Sequence, residues 1–487
     1  MSLDAISKNK KFVDMNKMPK EAFWDAVYKM RSNSISLSKY KRVVLGLIFL
    51  KHTSDTFMVH PKISKLIIKK TQNNEKYTTN NFVWIPKESH WSNIIQQAHH
   101  PEIGQTIDDA MVGIERRNIT IRGALPKIYT GLDRFMLGQL VNLLNGVDTT
   151  KIQFSTLPRV YEYFLSIFAE TEGVRGDEFY TPGSVVRLMV EMIRPSYGKI
   201  YDPCCGSASM LIQAGEFIQR HANKKDKEQI CIFGQELVET TWALAKMNLA
   251  MHKIKGRIEL GDGLYSDQHQ CLQADFILTS PPLNITSYKG EILQDDKRWI
   301  YGIPPPGDVT FAWIQHIAYH LAPDGIAGVI LPNSTMSLNT FGRGNIRKNI
   351  INDGLLHCIV SLPGQLFYST PIPACMWLFS KKHNTKNVLF IDARSMGRMK
   401  DRTHRILDNI PQITTTYDAW CNHGYKDIIG FCKSVSIDKI SLQDYMLEPW
   451  RYVGEINPND KLHMRLDLPI TKYSEQQCKS NMIRETR

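Results

Sequence analysis

The chain has 487 residues, 43% of them hydrophobic, and its 60 Lys and Arg against 48 Asp and Glu give a net charge of +12. This length suits two or three domains with buried cores, and the charge fits either a solvated basic surface or a polyanionic partner such as nucleic acid. The nine cysteines contain no CxxC pair, which argues against a disulfide framework and a zinc site. No stretch resembles a signal peptide or is long enough to span a bilayer, so we expect a soluble cytoplasmic protein without a metal.

The first third of the chain has a helical pattern. Residues 1–18 are polar and basic, and we expect them to be flexible. Apolar residues then recur at helical spacing in five segments: 21–30, 40–51, 107–114, 132–144 and 160–169. The 40–51 segment is apolar over a broad face, which predicts a position at the centre of a helical bundle. We therefore assign residues 19–168 to an all-helical domain.

From about residue 169, short apolar runs alternate with helical stretches. This alternation is typical of an α/β domain, with a mostly parallel sheet that carries helices on both faces. The predicted strands are 199–201, 230–233, 257–260, 276–278, 326–331, 356–360, 376–379 and 388–391. The pattern weakens after residue 401, so we assign 169–410 to the sheet domain and 411–487 to a C-terminal extension.

Polar or small residues follow the first three predicted strands. The run Asp-Pro-Cys-Cys-Gly-Ser at 202–207 would let backbone approach a ligand closely beside a helix N-terminus. Glu236 ends the second strand, where a carboxylate can accept both ribose hydroxyls of an adenosine-type cofactor. Asp262 follows the third strand and can accept from an adenine amino group. Each feature alone fits an ordinary turn or strand end equally well, but their common order is more specific.

The fourth predicted strand ends in a turn that we assign as the catalytic site. Two prolines stop this apolar run, because proline fixes φ and lacks an N–H for the strand ladder. The turn consists of Ser280, Pro281, Pro282 and Leu283. It would lie at the carboxyl edge of the sheet, where open α/β sheets bind ligands.

Taken together, these residues resemble S-adenosylmethionine-dependent DNA amino-methyltransferases, and most closely the methylation (M) subunits of type I restriction–modification systems. Further segments that carry the resemblance are Gly-Asp-Glu-Phe-Tyr-Thr-Pro at 176–182, 241–249, 362–369 and 401–404. It implies the seven-stranded, Rossmann-like methyltransferase sheet and S-adenosylmethionine as cofactor. The cofactor-binding residues that it implies are Phe179, Tyr180, Thr181, Pro182, Asp202, Cys204, Gly206, Ser207, Glu236 and Asp262.

The resemblance also implies transfer of methyl to N6 of adenine in DNA, but the catalytic turn departs from the family pattern. That pattern is Asn-Pro-Pro followed by Phe or Tyr. Ser280 keeps an acceptor oxygen closer to the backbone, while Leu283 cannot stack on a flipped base. Tyr288, Trp299 or Tyr301 could supply the missing ring. Alternative readings are a catalytically impaired relative that still binds cofactor and DNA, a cytosine amino-methyltransferase, or a methyltransferase of RNA or protein.

The partners that the resemblance implies are double-stranded DNA and a specificity (S) subunit. We find no separate recognition domain after the last strand, so we expect the S subunit to choose the target sequence. Two M chains per S subunit, and a restriction (R) subunit as an optional addition, complete the expected assembly. The helical domain 19–168 would dock DNA or a partner, and 411–487 would contact a partner subunit.

Overall fold

The structure is a computed structural model that describes residues 20–31, 34–59, 83–146, 156–172, 180–221, 230–282, 295–305, 309–368, 370–382, 386–422 and 424–455. Several predictions lie outside these ranges. They concern the N-terminal residues 1–18, the site residues Phe179 and Leu283, the candidate ring of Tyr288, and the tail after residue 455.

The helical prediction for the first third of the chain is confirmed. The helices are α1 (Lys20–Lys29), α2 (Leu37–Val59), α3 (Trp91–Gln96), α4 (Ile103–Arg117), α5 (Arg134–Asn145) and α6 (Thr156–Glu172). Residues 43–50 of α2 are all buried, as expected for a helix with a broad apolar face at the centre of a bundle. Gly46 allows close packing here, because a Cβ would lie 2.2 Å from the Tyr129 hydroxyl, which donates to the Val43 carbonyl.

The rest of the described chain is an α/β unit. Its strands are β1 (Lys199–Asp202), β2 (Cys231–Glu236), β3 (Gly256–Leu260), β4 (Ala274–Thr279), β5 (Leu321–Pro332), β6 (Leu356–Ser361), β7 (Ala374–Ser380), β8 (Asn387–Asp392), β9 (Arg398–Met399), β10 (Arg405–Ile406) and β11 (Cys432–Ser436). Its helices are α7 (Gly183–Ile193), α8 (Ser209–His221), α9 (Glu239–Met251), α10 (Thr310–His320), α11 (Arg343–Asn352), α12 (Ile410–Cys421), α13 (Ile437–Ser441) and α14 (Trp450–Val453).

The central sheet has the order β3-β2-β1-β4-β5-β7-β6-β8-β11, while β9 and β10 form a separate hairpin. Its pairs are parallel except those of β7 with β5 and β6 and of β11 with β8. The mostly parallel α/β sheet is therefore confirmed. Within the described residues it has nine strands rather than the predicted seven, because β8 and β11 extend the edge beyond β6.

Helices cover both faces of the sheet, and strands β6 and β7 are buried along their whole length. Such burial explains why they read as continuous apolar runs. One apolar layer includes residues of α7, α8 and α12, and the other includes residues of α10 and α11. Helix α9 joins the two parts of the chain, because Leu249 packs with the first layer while Leu244 and Met247 pack with the N-terminal helices.

Residues 410–455, which the sequence assigns mainly to a C-terminal extension, lie against this sheet. Strand β11 pairs with β8 from Cys432 to Ser436, and α12 contributes Ile413 and Tyr417 to the first apolar layer. Among the helices of the described ranges, none combines the length and hydropathy that a membrane crossing requires.

Candidate active site

The turn after β1 and the end of β2 are joined by one carboxylate. Gly206 adopts φ +54, a conformation that glycine reaches without the steric penalty other residues pay. Its amide N–H donates to Glu236 Oε2 at 3.0 Å, and the Val238 amide donates to Oε1 at 2.8 Å. The structure thus brings together Gly206 and Glu236, two residues that the sequence places in one cofactor cradle.

Asp202, the last residue of β1, begins this turn. Its carboxylate accepts from the Cys204 amide at 3.2 Å and from the Thr279 hydroxyl, which links β1 to the end of β4. Burial raises the pKa of Asp202 to about 7, and the nearby negative charge of Glu236 acts in the same direction. Burial also raises the pKa of the Cys204 thiol well above its usual range, so Cys204 is a neutral thiol 3.0 Å from Thr279 Oγ1.

Asp262 caps the turn that follows β3. Its Oδ1 accepts from the amides of Leu264 at 2.8 Å and Tyr265 at 3.1 Å. The carbonyl oxygens of Gly263 and Leu264 in turn accept from the guanidinium of Arg298, which is buried and paired with Asp296. Arg298 therefore fastens the segment after β4 to the turn after β3, a role that no pattern in the sequence indicated.

A buried hydrogen-bonded network continues from Arg298 into the sheet. Arg298 can only donate, so His316 Nδ1 accepts from it at 2.8 Å, and Nε2 carries the proton toward the Tyr201 hydroxyl at 3.3 Å. Burial lowers the pKa of His316, which keeps the ring neutral. His320 pairs with Asp267 Oδ2 at 2.9 Å. Burial opposes the charge on Asp267, but the His320 hydrogen bond holds the pKa of this carboxyl at about 2.

The fourth site element is the turn at the end of β4. Ser280 and Pro281 are buried, whereas Pro282 is exposed. Ser280 Oγ is buried and makes no hydrogen bond to any of the described residues. Leaving a buried hydroxyl unpaired costs about 1–3 kcal/mol, so this oxygen is suited to a polar group of a bound ligand.

The segment at 180–182 lies next to the turn that follows β1. Tyr180 and Thr181 are half-buried, and Pro182 precedes α7 as its N-cap. The Tyr180 hydroxyl shares a hydrogen bond with Ser209 in the first turn of α8. The Oγ atoms of Ser207 and Ser209 lie 3.2 Å apart, so the segment is tied to the residues that follow Gly206.

Two aromatic residues that could replace the missing ring at position 283 can be located. Tyr301 is buried in the core, and its hydroxyl donates to Asp353, so it cannot receive a flipped base. Trp299 is half-buried and packs against the apolar cluster that contains Leu264. The Arg298 guanidinium lies 5.0 Å from the centroid of its ring. Trp299 therefore lies beside the Asp262 turn.

Two family models match the chain. The model described as N-6 DNA Methylase matches residues 153–461, and the model described as HsdM N-terminal domain matches residues 20–144. The first match alone spans more than half of the chain.

Similar proteins and solved structures indicate the same family. The chain is 40% identical over 376 residues to the type I restriction enzyme HindI methylase subunit of Haemophilus influenzae, covering 74% of this chain and 84% of that protein. It is 30% identical over 491 residues to the MjaIX methylase subunit of Methanocaldococcus jannaschii, covering 93% and 86%. The methyltransferase subunit of a type I restriction-modification system from Streptococcus thermophilus has the same fold, with a TM-score of 0.76 at 22% identity over 89% of this chain and 98% of that one. The chain thus belongs to the N-6 DNA methylase family, within the methylase subunits of type I restriction enzymes.

Proposed function

We propose that this chain binds S-adenosylmethionine at the carboxyl edge of β1–β4 and transfers its methyl group to N6 of adenine in DNA. Family membership supports the reaction, and the geometry of the turns after β1, β2 and β4 supports the site. The observation that carries the proposal is the buried, unpaired hydroxyl of Ser280. It lies one residue after Thr279, which touches both Asp202 and Cys204 of the cofactor cradle.

The cradle suits an adenosine-type cofactor. Glu236 holds the turn after β1 and offers carboxylate oxygens at the end of β2, where ribose hydroxyls would donate. Asp262 shapes the turn that would face the adenine, while Cys204 and Ser207 would line the middle of the cofactor. When bound, S-adenosylmethionine supplies an electrophilic methyl group on a positively charged sulfur. The residues proposed for its methionine end are Phe179, Tyr180, Thr181 and Pro182, while Asp202 and Gly206 would form the main cradle.

Ser280 and the Pro281 carbonyl would hold the target amine. The nitrogen lone pair of an exocyclic amine is conjugated into the base and is a poor nucleophile. Two acceptors that bond its N–H groups draw the nitrogen toward tetrahedral geometry, so positioning and electrostatics carry the rate without a strong base. Ser280 has a shorter side chain than asparagine, so the amine would approach the end of β4 more closely.

The partners proposed for this activity are double-stranded DNA and a specificity subunit. A net charge of +12 favours a polyanion, since counterion release from phosphates drives such binding. We propose two copies of this chain per specificity subunit, which would choose the target sequence, and a restriction subunit as an optional addition.

The test is methyl incorporation from labelled cofactor into target DNA by the complex with the specificity subunit. Ser280→Ala should lower kcat by about 10- to 100-fold through the lost hydrogen bond and leave the Kd for the cofactor unchanged. Ser280→Asn should keep activity, and Ser395→Ala is the matched control, since Ser395 is an exposed serine after β8, four strands away from β4. Full activity of Ser280→Ala would remove the residue from the mechanism.

A second candidate function is retained cofactor and DNA binding without methyl transfer. It is favoured by the serine at position 280, where the family pattern has asparagine. Incorporation that appears in Ser280→Asn but is missing from the unaltered complex would select this second candidate.

A further inference from the structure

The loop after β5 presents one phenylalanine in an unusual way. Phe341 lies in a 3-10 turn, Thr340–Gly342, with φ 57 and ψ 31, in the left-handed region that bulky residues rarely adopt. Its side chain is 81% exposed, and its ring has the Arg343 guanidinium 5.8 Å from the centroid. Neither the strained backbone nor the exposed ring helps the chain to fold, which points to a role in binding.

The loop that carries Phe341 is anchored at its base. Arg347 of α11 is fully buried and donates to the carbonyl oxygens of Leu338 at 2.8 Å and Tyr445 at 2.9 Å. Its guanidinium also bonds the side chain of Asn339, two residues before Phe341. Because the buried guanidinium of Arg347 donates to a carbonyl and a side chain of the loop, it fixes the loop conformation. The exposed ring of Phe341 is therefore held in a defined position.

The loop leaves the sheet at the edge where the proposed chemistry occurs. Strands β4 and β5 are parallel, and Thr279 is paired with Val329. The residues after Pro332 therefore emerge beside the turn that contains Ser280. This places the start of the loop at the same edge of the sheet as the proposed site for the target base.

We propose that Phe341 is a wedge that enters the base stack of the DNA duplex beside the target adenine as this base leaves the helix. The proposal rests on the proposed function, since it requires DNA at the carboxyl edge of β4. A ring that is 81% exposed has no crevice in which a flipped base could lie against it, but it can insert between base pairs. Arg343 beside it supplies a positive charge for the adjacent phosphate.

A wedge lowers the free energy of the extruded state, because the ring replaces part of the stacking that the duplex loses. The contribution of the ring to catalysis should therefore be smaller when a mismatch already weakens the target base pair. This dependence on base pairing separates a wedge from a residue that only supports the fold or contacts the specificity subunit.

The experiment uses the complex with the specificity subunit and two duplexes, one fully paired and one with a mismatch at the target adenine. Phe341→Gly suits the backbone, since glycine adopts positive φ readily, and Phe341→Trp restores a ring. Tyr197→Ala is the matched control, because Tyr197 is also an exposed aromatic residue but precedes β1, at the edge of the sheet opposite the proposed site. The readouts are kcat/KM, cofactor Kd, and the fluorescence of 2-aminopurine placed at the target position.

Phe341→Gly should lower kcat/KM on paired DNA by about 10- to 100-fold, the factor that one lost aromatic–base stack represents, and should lower the 2-aminopurine signal. The mismatch should restore most of the activity, and Phe341→Trp should stay near wild type, with an unchanged cofactor Kd throughout. An equal loss on both duplexes, a loss that tracks weaker binding of the specificity subunit, or no loss would overturn the wedge. Wild-type complex that methylates neither duplex would instead refute the proposed function.

Discussion

The carboxylate of Glu236 offers the sharpest test of the cofactor cradle. It accepts hydrogen bonds from the amides of Gly206 at 3.0 Å and Val238 at 2.8 Å. Glu236→Gln keeps the size of the side chain but turns one acceptor into an NH2 group, which would face a backbone N–H. Hydrogen bonds to a charged group contribute about 1.5–3 kcal/mol each, so we expect cofactor affinity to fall by roughly 10- to 150-fold.

Isothermal titration calorimetry with S-adenosylmethionine measures this loss, and thermal unfolding checks that the variant stays folded. Glu259→Gln is the matched control, because Glu259 lies on the neighbouring strand β3 and pairs with Arg257 at 2.6 Å near the surface. The control should change the Kd by less than about twofold. Equal affinities of Glu236→Gln and wild type would refute the cradle.

Two further predictions concern stability. Since burial raises the pKa of Asp202 to about 7, the folded cofactor-free protein holds this proton below that pH while the unfolded chain does not above about pH 4, so stability should fall by roughly 2–3 kcal/mol as the pH rises from 5 to 8. Asp202→Asn should remove that part of the pH dependence in urea unfolding, and an unchanged dependence would contradict the burial argument. Arg347→Ala should lower the free energy of unfolding by about 3 kcal/mol or more, because it removes a fully buried side chain and leaves the carbonyls of Leu338 and Tyr445 without their donor. The exposed neighbour Lys348→Ala should change it by less than about 0.5 kcal/mol, and similar values for both variants would argue against the anchor.

Much of the fold could be predicted because buried parallel strands have a simple signature. Strands β4, β6 and β7 are nearly continuous apolar runs, and each was predicted at its observed position. Strand β11 was missed because its sequence, Cys-Lys-Ser-Val-Ser, buries only Cys432 and Val435 and has little apolar character. An edge strand of this kind pairs through its backbone, so its side chains carry little signal.

The candidate site was predictable where topology alone brings residues together. Asp202 and Glu236 end the strands β1 and β2, and Ser280 directly follows β4, which is parallel to β1; that these residues lie at one edge of the sheet follows from the order of the strands. Arg298 and Arg347 were not predicted, because each acts through a few long-range hydrogen bonds that leave no periodic pattern in the sequence.

The prediction was wrong for one of the three candidate rings. Tyr301 looked available to stack on a base, but its hydroxyl is bonded to Asp353 and its ring is buried. Burial of a single aromatic residue in a polar segment depends on which loops pack over it, and composition does not reveal this. Phe341 was overlooked for a related reason, since its exposure and positive φ emerge only in the folded loop.

The central claim is that this chain places methyl groups on the exocyclic nitrogen of adenine in DNA. Modified-base sequencing of DNA from cells that express the chain together with its specificity subunit tests it most directly. We predict N6-methyladenine at a single recognition motif, absent from cells that express the specificity subunit alone. Methylated cytosine at that motif, or unmodified DNA in cells that contain the folded complex, would contradict the account.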